Sequence, residues 1–233
     1  MVLADILSLC RLYVPEATST VISDANATII LNIGAQKFVL LAEALPTYTT
    51  FNAVASDGDY LISTNVSTYA KVRREGLWWY NSTNSKWVRL KPRSLRWLDM
   101  TLPQWRDGSA GNPEYYSIDG DEITVYPKPA TSYTNGFKLY HFKISQDMAT
   151  GYYPFSGSAS VRYSFLVNFE EDIIDYYKYR AKEIMGYPID AQTALNIFIA
   201  KAGKAKIELQ GRPDVATDAF AKPKTRNSPR MFR

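Results

Sequence analysis

The stretch of sequence that decides the fold is DANATIILNIGAQKFVLLAEAL, residues 24–45. Ser23 and Asp24 are residue types that cap helix N-termini, and Pro46 cannot continue a helix. Between them, apolar residues recur at every third or fourth position, which predicts one helix of about five to six turns with one apolar face. The predicted face, in which Lys37 is the one polar break, contains Ile29, Ile30, Ile33, Lys37, Leu40, Leu41 and Ala44.

A shorter helix is predicted ahead of this one. Residues 4–12 have the apolar spacing of one helix face, and Pro15 limits how far that helix can extend. The apolar positions of this first helix are Leu3, Ile6, Leu7 and Cys10.

Helical periodicity returns towards the other end of the chain, near Asn168. Carboxylates at 170–172 suit the positive end of a helix that starts there. A last helix is predicted to be capped by Asp190 and to stop at Gly211. The apolar stripe of the first of these two helices contains Phe169, Ile173, Ile174, Tyr177 and Ala181.

The residues between these helical ends have the pattern of short β-strands. Residues 77–80 and 87–90 flank a polar loop, which predicts one hairpin, and residues 137–142 alternate as a half-buried strand does. A second hairpin is predicted from residues 114–118 and 122–126, because Asp119-Gly120 tolerates the positive φ values of a tight turn.

This layout predicts an α+β fold in which N- and C-terminal helices form a four-helix bundle and an antiparallel β domain is inserted between them. The predicted divisions are the N-terminal helices at 1–46, the β domain at 47–155, the C-terminal helices at 156–211 and an extended arm at 212–233.

The arm holds the net charge of the protein. Residues 212–233 carry six cations and two anions, which leaves 21 of the 27 cations and 21 of the 23 anions in the rest of the chain. Its three prolines and few apolar residues predict an extended segment that becomes ordered only on a partner.

The residue types needed for chemistry are scarce. One histidine, His141, and one cysteine, Cys10, cannot supply a triad or a four-ligand metal shell. Cys10 is expected to be a small core residue, and isolated Gly34 is expected to mark close helix packing. No enzyme activity, metal, cofactor, membrane span or signal peptide is therefore predicted.

Aromatic residues are abundant, and two interpretations of them stay open. The cluster could be a base- or sugar-stacking platform, since cations interleave with it, or it could be a sheet core with the cations on the opposite face. The aromatic cluster contains Trp78, Trp79, Tyr80, Trp87, Trp97 and Trp105, and the interleaved cations are Arg73, Arg74, Lys86, Arg89, Lys91, Arg93 and Arg96.

Three motifs resemble the adaptor proteins of tailed bacteriophages. Leu98-Asp99 near Pro103-Gln104-Trp105 is followed by Gly111-Asn112-Pro113-Glu114-Tyr115-Tyr116, and then by a strand that ends in Tyr126-Pro127-Lys128-Pro129. The short helix followed by a long one, and the Tyr-rich helix near 169–185, also resemble that family.

The resemblance implies a structural subunit of the virion neck, made in the host cytoplasm. Such subunits form rings, typically of twelve copies, beneath the portal protein, and packaged DNA passes through the channel without sequence-specific binding. A downstream tail or neck protein is the further partner. The arm residues expected to bind the portal are Arg212, Lys222, Lys224, Arg226, Arg230, Phe232 and Arg233. The β-domain residues expected to contact partners are Trp78, Trp79, Tyr80, Trp87, Tyr115 and Tyr116.

Two other functions compete with this interpretation. A nucleic-acid-binding module would use the basic arm and bind duplex tightly, with an affinity that falls steeply with salt. A carbohydrate-recognising tail component would use the tryptophan cluster for stacking.

Overall fold

The computed structural model of the protein describes residues 1–102 and 104–210. The predicted arm at 212–233 lies outside the described residues. In the described residues the fold is α+β, with helices at both ends of the chain and two sheets between them. The helices are α1 Leu3–Tyr13, α2 Asp24–Ala42, α3 Ile62–Asn65, α4 Leu95–Thr101, α5 Ile173–Ile184 and α6 Pro188–Gln210, with 3-10 helices at Trp105–Asp107 and Ser164–Asp172.

Helices α1, α2, α5 and α6 bury their apolar residues in one shared cluster. Phe38 of α2 lies at its centre, with its ring centroid 5.5 Å from that of Phe155, 5.9 Å from Phe169 and 6.1 Å from Phe198. These rings come from widely separated parts of the sequence, so the two ends of the chain are joined by one core.

The long helix begins where the sequence predicts. The Ser23 side chain accepts a hydrogen bond from the Asn26 amide, as an N-cap residue does. Gly34 allows the close packing expected of it, because a Cβ there would lie 3.0 Å from the Tyr176 ring of α5. The helix ends at Ala42, where Glu43 adopts a left-handed conformation with φ of 50°.

The buried face of α2 differs from the predicted one. Ile29, Ile33, Leu40 and Leu41 are exposed, whereas Ala27, Leu31, Ala35, Phe38 and Val39 are buried. The predicted stripe is therefore wrong, apart from Ile30 and Ala44, which are buried. Apolar residues occur all around this helix, so periodicity alone does not select the face that packs.

The sequence analysis predicts no membrane span, but one helix meets the usual criteria for such a span. Helix α2, with 19 residues, is long and apolar enough to cross a bilayer by length and composition. In this fold it packs against α5 and α6, and the core helix of a globular protein passes the same test.

The C-terminal helices start at other residues than predicted. Residues 164–172 form a 3-10 helix, and α5 begins at Ile173. Asp190 is not an N-cap, because α6 begins at Pro188, a residue whose fixed φ and missing N–H suit the first turn of a helix.

The β region consists of two four-stranded sheets, with strand orders β1-β8-β3-β4 and β2-β7-β6-β5. Both predicted hairpins are confirmed: Tyr80 pairs with Trp87, and Asp119 pairs with Glu122 across Gly120. The sheets are antiparallel except that β5 pairs in parallel with β6. The strands are β1 Pro46–Ala53, β2 Asp59–Leu61, β3 Tyr69–Asn81, β4 Lys86–Arg89, β5 Lys91–Pro92, β6 Tyr115–Asp119, β7 Glu122–Tyr126 and β8 Tyr133–Lys143.

The two sheets pack face to face around a second buried cluster. Phe137 and Leu139 enter it from the first sheet, and Ile123 and Val125 enter it from the second. Because successive strand residues point to opposite sides, the outward residues of the two sheets lie on opposite faces of the sandwich.

Glu43 connects the sandwich to the helices. Its carboxylate lies 2.8 Å from the ammonium of Lys71 on β3 and 3.0 Å from that of Lys206 on α6. Burial pushes the pKa of Glu43 upward, but the hydrogen bonds from the two lysines outweigh it, so the pKa lies below its ordinary value.

Candidate interaction surfaces

Six aromatic residues share the outward side of the first sheet, and we call them the aromatic face. Tyr48 pairs in register with Tyr140, and Tyr80 pairs with Trp87, so the rings lie side by side across four strands. Their centroids are spaced at 5.7 Å for Tyr48–Tyr140 and 5.4 Å for Tyr80–Trp87. The members of the aromatic face are Tyr48, Trp78, Tyr80, Trp87, Tyr140 and Phe142.

Cations lie on this same face rather than on the opposite one. The Lys138 ammonium is 4.2 Å from the Trp87 ring centroid and 5.1 Å from that of Tyr48. The Arg73 guanidinium is 6.0 Å from the Tyr140 centroid and 5.8 Å from that of Phe142. Both have the geometry of cation–π contacts. Arg73 is one of the interleaved cations, so the sheet-core interpretation, which places the cations on the opposite face, is wrong for Arg73, whereas Lys138 was not among the predicted cations.

Two of the predicted interface residues are buried inside the sandwich. Trp79 packs against Phe137 at 5.1 Å and Tyr133 at 5.6 Å, and Tyr116 joins the same buried cluster. The Trp79 indole N–H has no hydrogen-bond acceptor among the described residues. Trp79 and Tyr116 thus stabilise the domain and offer little surface to a partner.

Tyr115 belongs to a second, smaller aromatic and cationic patch beside the second sheet. Its ring centroid is 5.4 Å from that of Trp97 on α4, and the Lys91 ammonium lies 5.4 Å from the Tyr115 ring. The Arg93 guanidinium stacks 4.8 Å from the Trp97 ring.

The outward side of the second sheet also carries a group of carboxylates, which we call the acidic face: Asp59, Asp119 and Glu122. Asp119 and Glu122 are register partners, and Asp59 lies on the neighbouring strand, two residues before the register partner of Glu122. The charge of Asp59, with smaller effects of burial and of Asp119, raises the pKa of Glu122.

The helical layer has an apolar groove between α2 and α5. It is lined in part by Tyr176 and Arg180, and its apolar rim is exposed. We call this feature the helix groove; its rim residues are Val21, Ile29, Ile33 and Ile184.

His141 is buried beneath the first sheet and has a hydrogen-bond partner on each ring nitrogen. Nδ1 lies 3.1 Å from the Phe142 carbonyl oxygen, which can only accept, so Nδ1 carries the proton. Nε2 then accepts from the Thr49 hydroxyl at 3.0 Å. Burial, with smaller effects of the Arg73 and Lys143 charges, lowers the pKa of His141 despite the hydrogen bond to Phe142. The ring is a structural element of the sheet.

The lowered pKa makes stability depend on pH in a defined window. The unfolded chain binds a proton near pH 6.5, whereas the folded one resists it, so the free energy of unfolding should decrease as pH falls below about 6.5 and level off below the folded pKa. The loss should be about 1.4 kcal/mol for each unit by which folding lowers the pKa. Urea unfolding of the wild type and of His141→Gln between pH 8 and 5 measures it. Parallel pH profiles for the two proteins would contradict this assignment.

The described residues do not assemble a recognisable catalytic or metal centre. Within residues 1–102 and 104–210, no group of three or more His, Cys, Asp or Glu side chains is arranged to hold a metal ion. Cys10 is fully buried, as expected of a core residue, and burial raises the pKa of its thiol to about 12. A thiol with that pKa is not a nucleophile at neutral pH.

These surfaces are typical of a structural protein that binds other proteins: half-buried and exposed aromatic rings stacked with cations, an apolar groove, and opposite charges on opposite faces. The sequence model of one protein family, described as SU10 adaptor protein, matches residues 1–224. The match covers nearly the whole chain, so the protein belongs to this family of bacteriophage head-to-tail adaptors. No curated protein matches the sequence.

The predicted resemblance is thereby confirmed. Membership makes the chain a structural component of a bacteriophage virion, and it implies association with portal and tail proteins and with further copies of itself. Families of this kind are generally not enzymes.

Proposed function

We propose that the protein is a head-to-tail adaptor subunit that forms a ring beneath the portal, joins the capsid vertex to the tail, and leaves a central channel for DNA. The observation that carries this proposal is the family match over residues 1–224. The four longer helices act as one bundle, which is the body of the ring, and the sandwich projects from it. Twelve copies are the expected number.

The helix groove supports contacts between copies in this ring. Ile29 is 56% exposed on α2, the helix whose opposite side is buried in the core, and Ile33 is exposed one turn further on. Exposed apolar rows next to a groove are typical of surfaces that another protein covers. A heterologous contact of this kind, repeated around a closed ring, turns weak single contacts into a stable joint.

The remaining partners are assigned to the other parts of the chain. Residues 212–233 are the arm that binds the portal, because their excess of cations and three prolines suit a segment that orders on a partner. The patch of Arg93, Trp97 and Tyr115 is the contact for the downstream tail or neck protein. DNA passes through the channel without sequence-specific binding.

Deletion of residues 212–233 tests the arm. The shortened protein should keep its thermal unfolding midpoint and its helix content, since the buried clusters lie within residues 3–205. It should lose binding to purified portal rings, measured by sedimentation and by negative-stain microscopy of the mixture. The matched control is a full-length chain in which Phe232 alone is changed to alanine, which should weaken binding less than the deletion. If the shortened protein binds portal as well as the full chain, the arm assignment is wrong.

A further inference from the structure

We propose that the aromatic face of one copy docks against the acidic face of the next copy, so that the β-sandwiches, and not only the helices, join neighbouring subunits. This inference rests on the proposed function, because it assigns a partner to one surface of the adaptor ring.

The two faces point in opposite directions from one rigid core. Leu139 enters the buried cluster of the sandwich, and its neighbours Lys138 and Tyr140 point outward from the first sheet. Ile123 enters the same cluster from the second sheet, and its neighbour Glu122 points outward on the other side. One copy therefore offers both halves of a head-to-tail contact.

The aromatic face is positively charged, and its main cation has no acidic partner among the residues that the structure describes. Lys138 stacks on Tyr48 and Trp87, and no carboxylate in the described part of the chain forms an ion pair with it. Tyr48 is 57% exposed, although the ring of Tyr140 lies beside it on the neighbouring strand. A partly exposed aromatic surface with a cation held at its centre fits a partner that brings carboxylates.

The acidic face has the complementary property. Asp59, Asp119 and Glu122 crowd like charges together, and within residues 1–102 and 104–210 none of the three forms an ion pair. Arg106 and Lys128 line the same depression, but Arg106 is already paired with Asp99 at 2.8 Å. A cation brought by a neighbouring copy would relieve the repulsion between these carboxylates.

The complementary occupant is a second copy of this chain. An isologous contact would bring each face against itself, which would oppose like charges, whereas a heterologous contact pairs the positive face of one copy with the negative face of the next. Heterologous contacts close into rings when the rotation allows it. The charge pattern of the sandwich therefore matches the assembly that the proposed function requires.

Charge reversal tests the contact, with the full chain assembling on purified portal rings. We expect Lys138→Glu and Glu122→Lys each to weaken assembly by about tenfold or more, because like charges would then face each other. A chain that carries both changes recreates an opposite pair at every contact and should assemble to within about threefold of the wild type. The measurement is ring occupancy as a function of subunit concentration, by negative-stain microscopy and sedimentation velocity.

Lys86→Glu is the matched control. This substitution makes the same change of charge on β4. The Lys86 side chain points to the opposite side of the sheet from Trp87, and therefore away from the aromatic face, so assembly should stay near the wild-type level. Thermal unfolding of each variant checks that the sandwich remains folded.

The outcomes separate this inference from the proposed function. If the wild type forms rings whose stability is indifferent to both reversals, or if the double variant is no better than the single ones, the contact is refuted and the adaptor function stands. If the wild type forms no oligomer with or without portal, both are refuted. If Lys138→Glu abolishes binding of a single-stranded oligonucleotide and the double variant remains unable to assemble, the face is a nucleic-acid platform instead.

Discussion

Replacing Phe38 with alanine is expected to lower the free energy of unfolding by about 3–5 kcal/mol, the range for a large aromatic removed from a packed core. The Phe38 side chain is completely buried and contacts the rings of Phe155, Phe169 and Phe198. The substitution would open a cavity where the N-terminal and C-terminal parts of the chain meet. Rings held in a tilted or edge-on arrangement add about 0.5–1.5 kcal/mol per pair beyond the area they bury.

Urea unfolding at neutral pH measures this effect, and Ile29→Ala supplies the control on the same helix. Ile29 is exposed, so its replacement should change stability by only about 0.5 kcal/mol. Equal losses for the two variants would mean that α2 packs through a different face from the one described here.

Replacing Arg162 with methionine is expected to lower the free energy of unfolding, because it would leave the nearly buried Glu170 carboxylate without its main partner. The Glu170 side chain is 3% exposed, and Arg162 contacts both of its oxygens, at 2.8 and 2.6 Å. The N-terminal ammonium of Met1, 2.5 Å away, would be the remaining ionic partner. Methionine keeps the apolar stem of the arginine, so the loss reports on charge more than on packing.

The opposite substitution, Glu170→Gln, should cost less. It removes the buried charge and leaves a guanidinium that is 39% exposed and can be hydrated. In the Glu170→Gln background, Arg162→Met should therefore have only a small further effect. If Arg162→Met costs as much in that background as in the wild type, the arginine acts through packing and the ion pair contributes nothing.

The pH dependence of this ion pair has a definite sign. Burial pushes the pKa of Glu170 upward, but Arg162 and the N-terminal ammonium outweigh it, and the pKa lies below its ordinary value of 4.5. The contribution of the pair to stability is present above that ordinary value and is lost as pH falls through the lower folded pKa. The difference between wild type and Arg162→Met should consequently be largest at neutral pH and shrink in acid.

Local sequence signals were sufficient for the hairpins and for most helix positions. Asp119-Gly120 fixes a turn by itself, because Gly120 adopts a φ of 59° that other residues avoid. Ser23 likewise defines the start of α2 through one side-chain hydrogen bond. Such features depend on neighbouring residues, so they can be read without knowledge of the tertiary fold.

The features that sequence reasoning missed depend on contacts between distant residues. Helix α2 is apolar all round, so its buried side is set by α5 and α6, and the predicted stripe at Ile29 and Ile33 lies in the helix groove instead. The contact between Glu170 and the ammonium of Met1 joins residues from opposite parts of the chain, and no periodicity signals it.

The aromatic face was predicted only in part, for a similar reason. Trp78, Tyr80 and Trp87 come from one hairpin and are visible in the sequence, but Tyr48 and Tyr140 join them through pairing of β1 with β8. The alternation of residues 137–142 does place Lys138, Tyr140 and Phe142 on one side of a strand. That signal could have identified the cation in the middle of the face, had the pairing partner of the strand been known.

The position of Glu43 makes two contacts near the junction of sheet and helices depend on the protonation of one carboxylate. One carboxylate, 14% exposed, serves both Lys71 of the sandwich and Lys206 of the last helix, so a single proton on it would release two lysines together. Because the pKa of Glu43 is lowered, the lysines are released at a lower pH than the one at which a free glutamate takes up a proton. Two independent carboxylates would lose their lysines over separate pH ranges, whereas this shared carboxylate loses both over a single range.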